Sequence, residues 1–316
     1  WSVRYSHTSV IYDNKIHVMG GYDGSNSLYL NDVWSSSDGS IWVEATGTVG
    51  WSSRSGHSSV VFDDKIFIMG GTDASSKFND VWSSSDGVTW ALVTGSAGWS
   101  ARNNAVSIVY DSKVYIMGGR GSSYLSDVWS SSDGSTWALV TGAAGWSGRS
   151  HHAGVVYDSQ IFVMGGWEGT TSRFNDVWSS SDGSSWSLVT ATAGWSVRNS
   201  HASIVYDNQM FVMGGEDTSR FNDVWSSSDG STWNLVTGSA DWDARNSHTG
   251  VVYNNKMFVM GGNDGSTRLN DVWSMELLPS SVVAIESSVE ERTIGAVWIA
   301  THFALVGYAA VKYLNN

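Results

Sequence analysis

The sequence predicts an all-β chain: a six-bladed β-propeller of four-stranded antiparallel blades, followed by a single C-terminal α-helix. Three observations predict it. A Gly-Gly doublet recurs six times, beginning at Gly20, Gly70, Gly118, Gly165, Gly214 and Gly261, at intervals of 50, 48, 47, 49 and 47 residues. An Asp-Val-Trp triplet follows each doublet, beginning at Asp32, Asp80, Asp127, Asp176, Asp223 and Asp271. Past the last copy the chain turns into a long apolar stretch. A fixed period of this length marks units that bury their faces only against their neighbours.

Each unit reads as four short strands. In the second copy they are His57–Phe62, Lys65–Met69, Asp80–Ser83 and Trp90–Val93, β-branched or aromatic runs bounded by Asp, Gly and Ser. Asp63-Asp64 makes the tight turn between the first two strands, and Asp86-Gly87 turns the third into the fourth. The doublet glycines permit positive φ and close backbone approach. Five copies carry Ser-Ser-Ser-Asp-Gly and then a second tryptophan, at Trp42, Trp90, Trp137, Trp186 and Trp233. The sixth leaves the pattern after Trp273, so its outer strand is missing from the repeat. The β-like segment Ser281–Ser287 is the expected replacement, since an unpaired edge is a liability; residues upstream of Trp1 are the alternative. The expected organisation is a propeller over 1–278, a linker over 279–292 and a helix over 293–314.

Composition excludes several classes. The 316 residues include no cysteine, which removes disulfides, thiolate metal sites and cysteine nucleophiles. A net charge of −13 makes nucleic acid an unfavourable partner. At 41% hydrophobic residues the chain buries a substantial core. It opens at Trp1 rather than Met, which reads as a processed or trimmed start. No nucleophile elbow, phosphate loop or isolated carboxylate pair stands out, so no catalysis is expected.

Gly-Gly, a variable loop and two spaced tryptophans, repeated about every 48 residues from Trp1 to Trp273, resemble the kelch repeat. The Ser-Asp-Gly-x-x-Trp turn is also similar to the Asp-box hairpin of sialidases, one residue shorter, and reads as a turn pinned over a buried Trp. The kelch-family copper oxidase needs a cysteine crosslinked to tyrosine, which this chain lacks.

Every copy has an arginine after its opening tryptophan: Arg4, Arg54, Arg102, Arg149, Arg198 and Arg245. Three residues later stands His7, His57, His152, His201 or His248, with Ala105 in the third copy. The resemblance implies that arginines at the start of the innermost strand line a ligand mouth, where they would take the carboxylates of an acidic peptide or glycan. The other reading is a scaffold role, tying blades through Asp or backbone carbonyls, and recurrence in every blade favours it. Symmetry breaks in the loops after each doublet, which carry Tyr22, Arg120, Trp167 and Glu168. Variable loops on a rigid scaffold carry specificity, with Trp167 as the expected anchor.

Thr293–Val311 is 19 residues without a formal charge under ordinary conditions, apart from the titratable His302. As a helix it spans roughly 28 Å, close to a hydrocarbon core. Ala296, Ala300, Ala304 and Gly307 then form a small-residue packing ridge. His302 is a candidate axial ligand to haem or chlorophyll. Glu290 and Glu291 precede the span and Lys312 follows it, placing the propeller on the lumenal or exoplasmic side. The absence of Asn-x-Ser/Thr disfavours a glycosylated cell surface, and the resemblance to kelch-like proteins of unicellular algae points to a thylakoid membrane.

The expected function is therefore a non-catalytic accessory subunit, anchored in the lipid bilayer by one helix within a larger, photosynthetic membrane-protein complex. The alternative is a soluble adaptor that binds an acidic peptide or glycan at its arginine mouth.

Overall fold

In a computed structural model of the chain, residues 1–47, 49–169, 172–277 and 308–313 are described. They form six four-stranded antiparallel sheets, each in simple up-and-down order from an inner strand to an outer one. The inner strands are Thr8–Tyr12, Ser58–Phe62, Val106–Tyr110, Ala153–Tyr157, Ala202–Tyr206 and Thr249–Tyr253, and they lie side by side around the axis. The second blade shows how closely sequence and structure agree: its strands are Ser58–Phe62, Lys65–Met69, Val81–Ser84 and Ala91–Thr94.

The turns form as their residues dictate. Asp63 and Asp64 both adopt positive φ, 48° and 50°, the two-residue hairpin geometry that matches strand twist. In the third blade the Ser131 hydroxyl accepts from Gly134 N at 2.8 Å, and Asp133 Oδ1 accepts from Ser135 N and Thr136 N at 2.8 Å each. These amide bonds hold Asp133 down to about 2. Trp137 Nε1 then donates to Gly134 O at 2.9 Å, which completes a pinned turn over a buried indole.

The hydrophobic cores lie in the seams between blades. Between blades two and three, Val60, Phe67, Met69 and Val81 meet Trp99, Val114, Ile116 and Trp137. The linker tryptophan meets the second tryptophan edge-on, as in Trp51–Trp90 at 6.0 Å and Trp99–Trp137 at 5.9 Å. In five of the six seams such a pair of indoles, each a large apolar payload, contributes to blade-to-blade adhesion.

The ring closes without exchanging a strand between its first and last blades. Trp1–Arg4 occupies the linker position against blade six: Arg4 N donates to Leu269 O at 3.0 Å and Gly262 N to Arg4 O at 2.9 Å. Trp1 packs among Val251, Phe258, Met260 and Val272. The Tyr253 hydroxyl reaches across the seam to Asn14 O and Ser37 O at 2.7 and 2.9 Å.

The tail departs from expectation. Tyr308–Tyr313, the end of the expected membrane helix over 293–314, is the outer strand of blade six and pairs with Arg268–Leu277 from Val272↔Tyr313 to Leu277↔Tyr308. The propeller thus extends beyond 278 into the tail. The cause is the open edge of the third strand, whose backbone groups need a ladder partner once the repeat fails. Lys312, expected to follow the membrane span, lies over the Trp273 ring at 5.4 Å. Among the described residues no helix is long and apolar enough to cross a membrane. The other tail candidates, Ser281–Ser287, the ridge Ala296, Ala300, Ala304 and Gly307, and the pigment or haem ligand His302, lie outside the described residues.

The sixth outer strand is also built differently. The other five each carry an irregularity opposite the Val-Trp step, such as Val128/Trp129, whereas this pairing runs without one. Lacking the second tryptophan, blade six places Met275 in the seam with Trp242.

Candidate functional site

The six arginines do not line a mouth. Arg4, Arg54, Arg102, Arg149, Arg198 and Arg245 are among the most buried side chains of the protein. Each forms a two-pronged pair with the Asp of the same blade's Asp-Val-Trp, at 2.6–3.0 Å. Nη1 also donates to the first doublet glycine's carbonyl at 2.8–3.0 Å. The triplet tryptophan donates Nε1 to the same Asp at 2.8 Å. The arginine's backbone N–H bonds the preceding blade, as Arg54 N does to Leu30 O at 3.0 Å. Each arginine therefore joins two blades and has no face left for a ligand carboxylate. Burial alone would raise Asp32 and Asp271; the arginine hydrogen bonds and charge outweigh it and hold both below the ordinary carboxylate value.

The five repeat histidines line the axial channel and are buried. Desolvation, then the adjacent arginine, pushes His57, His152 and His248 down to about 3. They are neutral spacers. Among the described residues no three His, Asp or Glu side chains converge as metal ligands.

One end of the channel is narrowed by a feature the sequence did not announce. Ser6, Gly56, Asn104, His151, Ser200 and Ser247, one per blade, all adopt φ between 51° and 60°. Each donates its N–H to the carbonyl of its neighbour, closing a circle of six bonds of 2.7–3.1 Å around the axis. The only foretaste in the sequence is a small or turn-forming residue just before the histidine position.

Around this circle stand the loops that follow each Gly-Gly. Tyr22, Arg120 and Trp167 all bridge to the residue preceding a circle member, Tyr5, Asn103 and Ser150 respectively. The structure thus brings the three loop candidates to one face, though in two groups. Across blades three and four, exposed Arg120 lies over Tyr124 at 5.3 Å, and Tyr124 meets Trp167 edge-on at 5.8 Å. Across blades six and one, Arg268 lies over Tyr5 at 5.4 Å, Tyr5 meets Tyr22 at 5.6 Å, and Tyr22 meets Tyr29 at 4.7 Å. Against the circle, a cavity of about 300 Å³ is bounded by Tyr5, Trp167, Arg173, Glu216, Arg220 and Asn246, among others. Arg173 reaches Asp217 of the next blade at 3.2 Å, and Arg220 lies 3.5 Å from Glu216. Sequence reasoning missed Tyr29, Lys77, Tyr124, Arg173, Arg220 and Arg268. All stand three residues before the triplet Asp, a column that alignment of the six copies exposes.

The comparisons with known proteins agree with this geometry. The model of the KLHDC2/KLHL20/DRC7 Kelch-repeats domain matches residues 1–141 and 181–315. The Kelch motif matches residues 148–179. Among curated proteins none matches the chain. With the family model spanning most of its length and each of its six blades a four-stranded sheet, the chain belongs to the Kelch-repeat family of β-propellers.

Proposed function

We propose that this chain is a non-catalytic interaction scaffold that takes an acidic segment of a protein partner on the face bearing the circle of backbone bonds. One observation carries the reading: a closed six-fold frame, whose repeat arginines are spent within it, presents a face whose loops are not six-fold at all. Arg120 and Arg268 have no acidic partner within ion-pair distance among the described residues, and each lies over a tyrosine ring. Arginine and aromatic side chains held rigidly beside a cavity have the composition of binding hot spots. The opposite face carries the Asp-rich hairpin turns, such as Asp63-Asp64, and repels an acidic segment. Membrane anchoring within a photosynthetic complex draws no support from the tail, whose last apolar residues lie in blade six.

Arg120→Ala and Trp167→Ala test the reading against Leu139→Ser, a control on the exposed rim. Partners captured by the unaltered chain should be lost with the first two variants and kept with the third, all three melting within a few degrees of one another. Partner capture indifferent to both face variants refutes it.

A further inference from the structure

Five of the six seams are filled by the same object. At each, the imidazole of one blade lies against the first doublet glycine of the blade before it. The ring's Cε1 comes within 2.8–2.9 Å of where a Cβ would stand on Gly20, Gly118, Gly165, Gly214 and Gly261. Where the preceding blade offers a hydroxyl just after its own histidine, the imidazole bonds it: His57 Nε2 to Thr8 Oγ1 at 3.0 Å and His7 Nε2 to Thr249 Oγ1 at 3.3 Å. The linker tryptophan covers the other side, with Trp51–His57 and Trp146–His152 centroids 6.0 and 5.9 Å apart.

The seam between blades two and three has all of this except the imidazole. Ala105 stands in the histidine's place. The nearest side chain to the Cβ position of Gly70 is Trp99, at 3.6 Å. Ser58, the hydroxyl that would meet the ring, is 8% exposed, and its Oγ has no partner. The seam has not closed to compensate. Arg102 N to Phe78 O is 3.0 Å and Gly71 N to Arg102 O is 2.8 Å, the same spacing as in the other seams. Nor do the flanking side chains fill the place. Asn104 Oδ1 is directed at Gly56, 2.5 Å from its Cβ position, and Val106 Cγ1 at Gly154, 2.7 Å from its Cβ position. Ala105 is only partly buried where the histidines are buried, and it lines both chambers of the axial channel.

We propose that this seam is a binding notch for a neutral five-membered azole of the imidazole class. The ring enters from the axial channel and seats between Gly70 and Trp99, with one nitrogen on the Ser58 hydroxyl. The site is separate from the partner face, and neither reading depends on the other. Its shape is defined by five occupied copies in the same molecule, and the buried unpaired hydroxyl supplies the polar contact that fixes orientation. A planar aromatic ring fits because the walls are a glycine and an indole. Uncharged ligands are selected because the Arg102 guanidinium, buried in the same seam, disfavours a second cation.

Imidazole itself is the probe, at about pH 8.5, where the ring is predominantly neutral, as a histidine side chain with its reference value of ~6.5 also is. Saturation-transfer NMR on the imidazole protons should show saturable binding, with half-saturation on the order of millimolar for so small a ligand. Ala105→His, which places the ring covalently, should abolish the signal and raise the melting temperature of the free protein. Ser58→Ala should weaken binding several-fold, and it decides the matter should Ala105→His fail to fold. Absence of saturable binding to the unaltered protein overturns the proposal, as does binding unchanged by Ala105→His or by Ser58→Ala.

Discussion

Removing one guanidinium tests the claim that the arginines are structural. Arg149 is fully buried and donates to Asp176 at 2.6 and 2.9 Å, to Gly165 O at 2.8 Å and to Ser147 O at 3.1 Å, with its plane 4.1 Å from the Phe174 centroid. Arg149→Met roughly preserves volume but strands the Asp176 carboxylate, whose remaining side-chain partner is Trp178 Nε1 at 2.8 Å. Breaking a buried ion pair from one side costs about 3–5 kcal/mol. For a domain of this size that lowers the melting temperature by roughly 6–10 °C. Arg173→Met removes a pair of the same chemistry at 3.2 Å, with side chains 25% and 29% exposed, and should cost about 1 kcal/mol or less. Arg149→Met/Asp176→Leu should recover part of the loss, because the uncompensated charge leaves with its partner. Thermal melts followed by circular dichroism read all three. Equal small shifts for Arg149→Met and Arg173→Met refute the assignment, since the arginines would then be dispensable to the frame.

Two further outcomes follow from the same frame. Unfolded histidines take up protons near 6.5, whereas His57, His152 and His248 refuse them until about 3. Between these values the unfolded state binds more protons, so stability is full above about pH 6.5 and falls on acidification, by about 1.4 kcal/mol per pH unit for each histidine. The melting temperature should drop steeply between about pH 6 and 5, a slope that His152→Asn reduces; a flat profile contradicts neutral buried imidazoles. The second outcome concerns the tail strand. Amides of Tyr308–Tyr313 should resist deuterium exchange as the outer strand Ala138–Thr141 does, and Ser274→Cys with Val311→Cys, directly opposed in the ladder, should oxidise to an intramolecular disulfide in this cysteine-free chain. Fast exchange of that segment would remove it from blade six.

The blades were legible because their causes are local. Alternating burial writes itself into each strand, turn chemistry into Asp63-Asp64 and Asp133-Gly134, and six repetitions average out any single misreading. Arg and Asp recur in step, once per copy, but pair across 25–28 residues, a distance at which only the folded blade shows that they meet. The carboxylate they were expected to draw from a ligand was already present in the Asp-Val-Trp triplet. The circle of backbone bonds leaves almost no side-chain trace, because any residue tolerant of positive φ makes it, and serine, glycine, asparagine and histidine all do.

The end of the tail, Tyr308–Tyr313, departs from the helical expectation for a different reason. An apolar run is consistent with a helix or a buried strand by periodicity alone, and what settles it lies elsewhere in the chain: five copies supply four strands and the sixth supplies three. Ser281–Ser287 is the nearer segment, yet Tyr308–Tyr313 is the one that pairs. Six residues join the third and outer strands in the other blades and thirty join them here. Because loop entropy grows only with the logarithm of length, that fivefold extension costs about 1.4 kcal/mol. Six paired residues and a covered sheet edge outweigh it. The outer strand is therefore whichever later segment best fits the ladder, and distance along the chain counts for little in that choice.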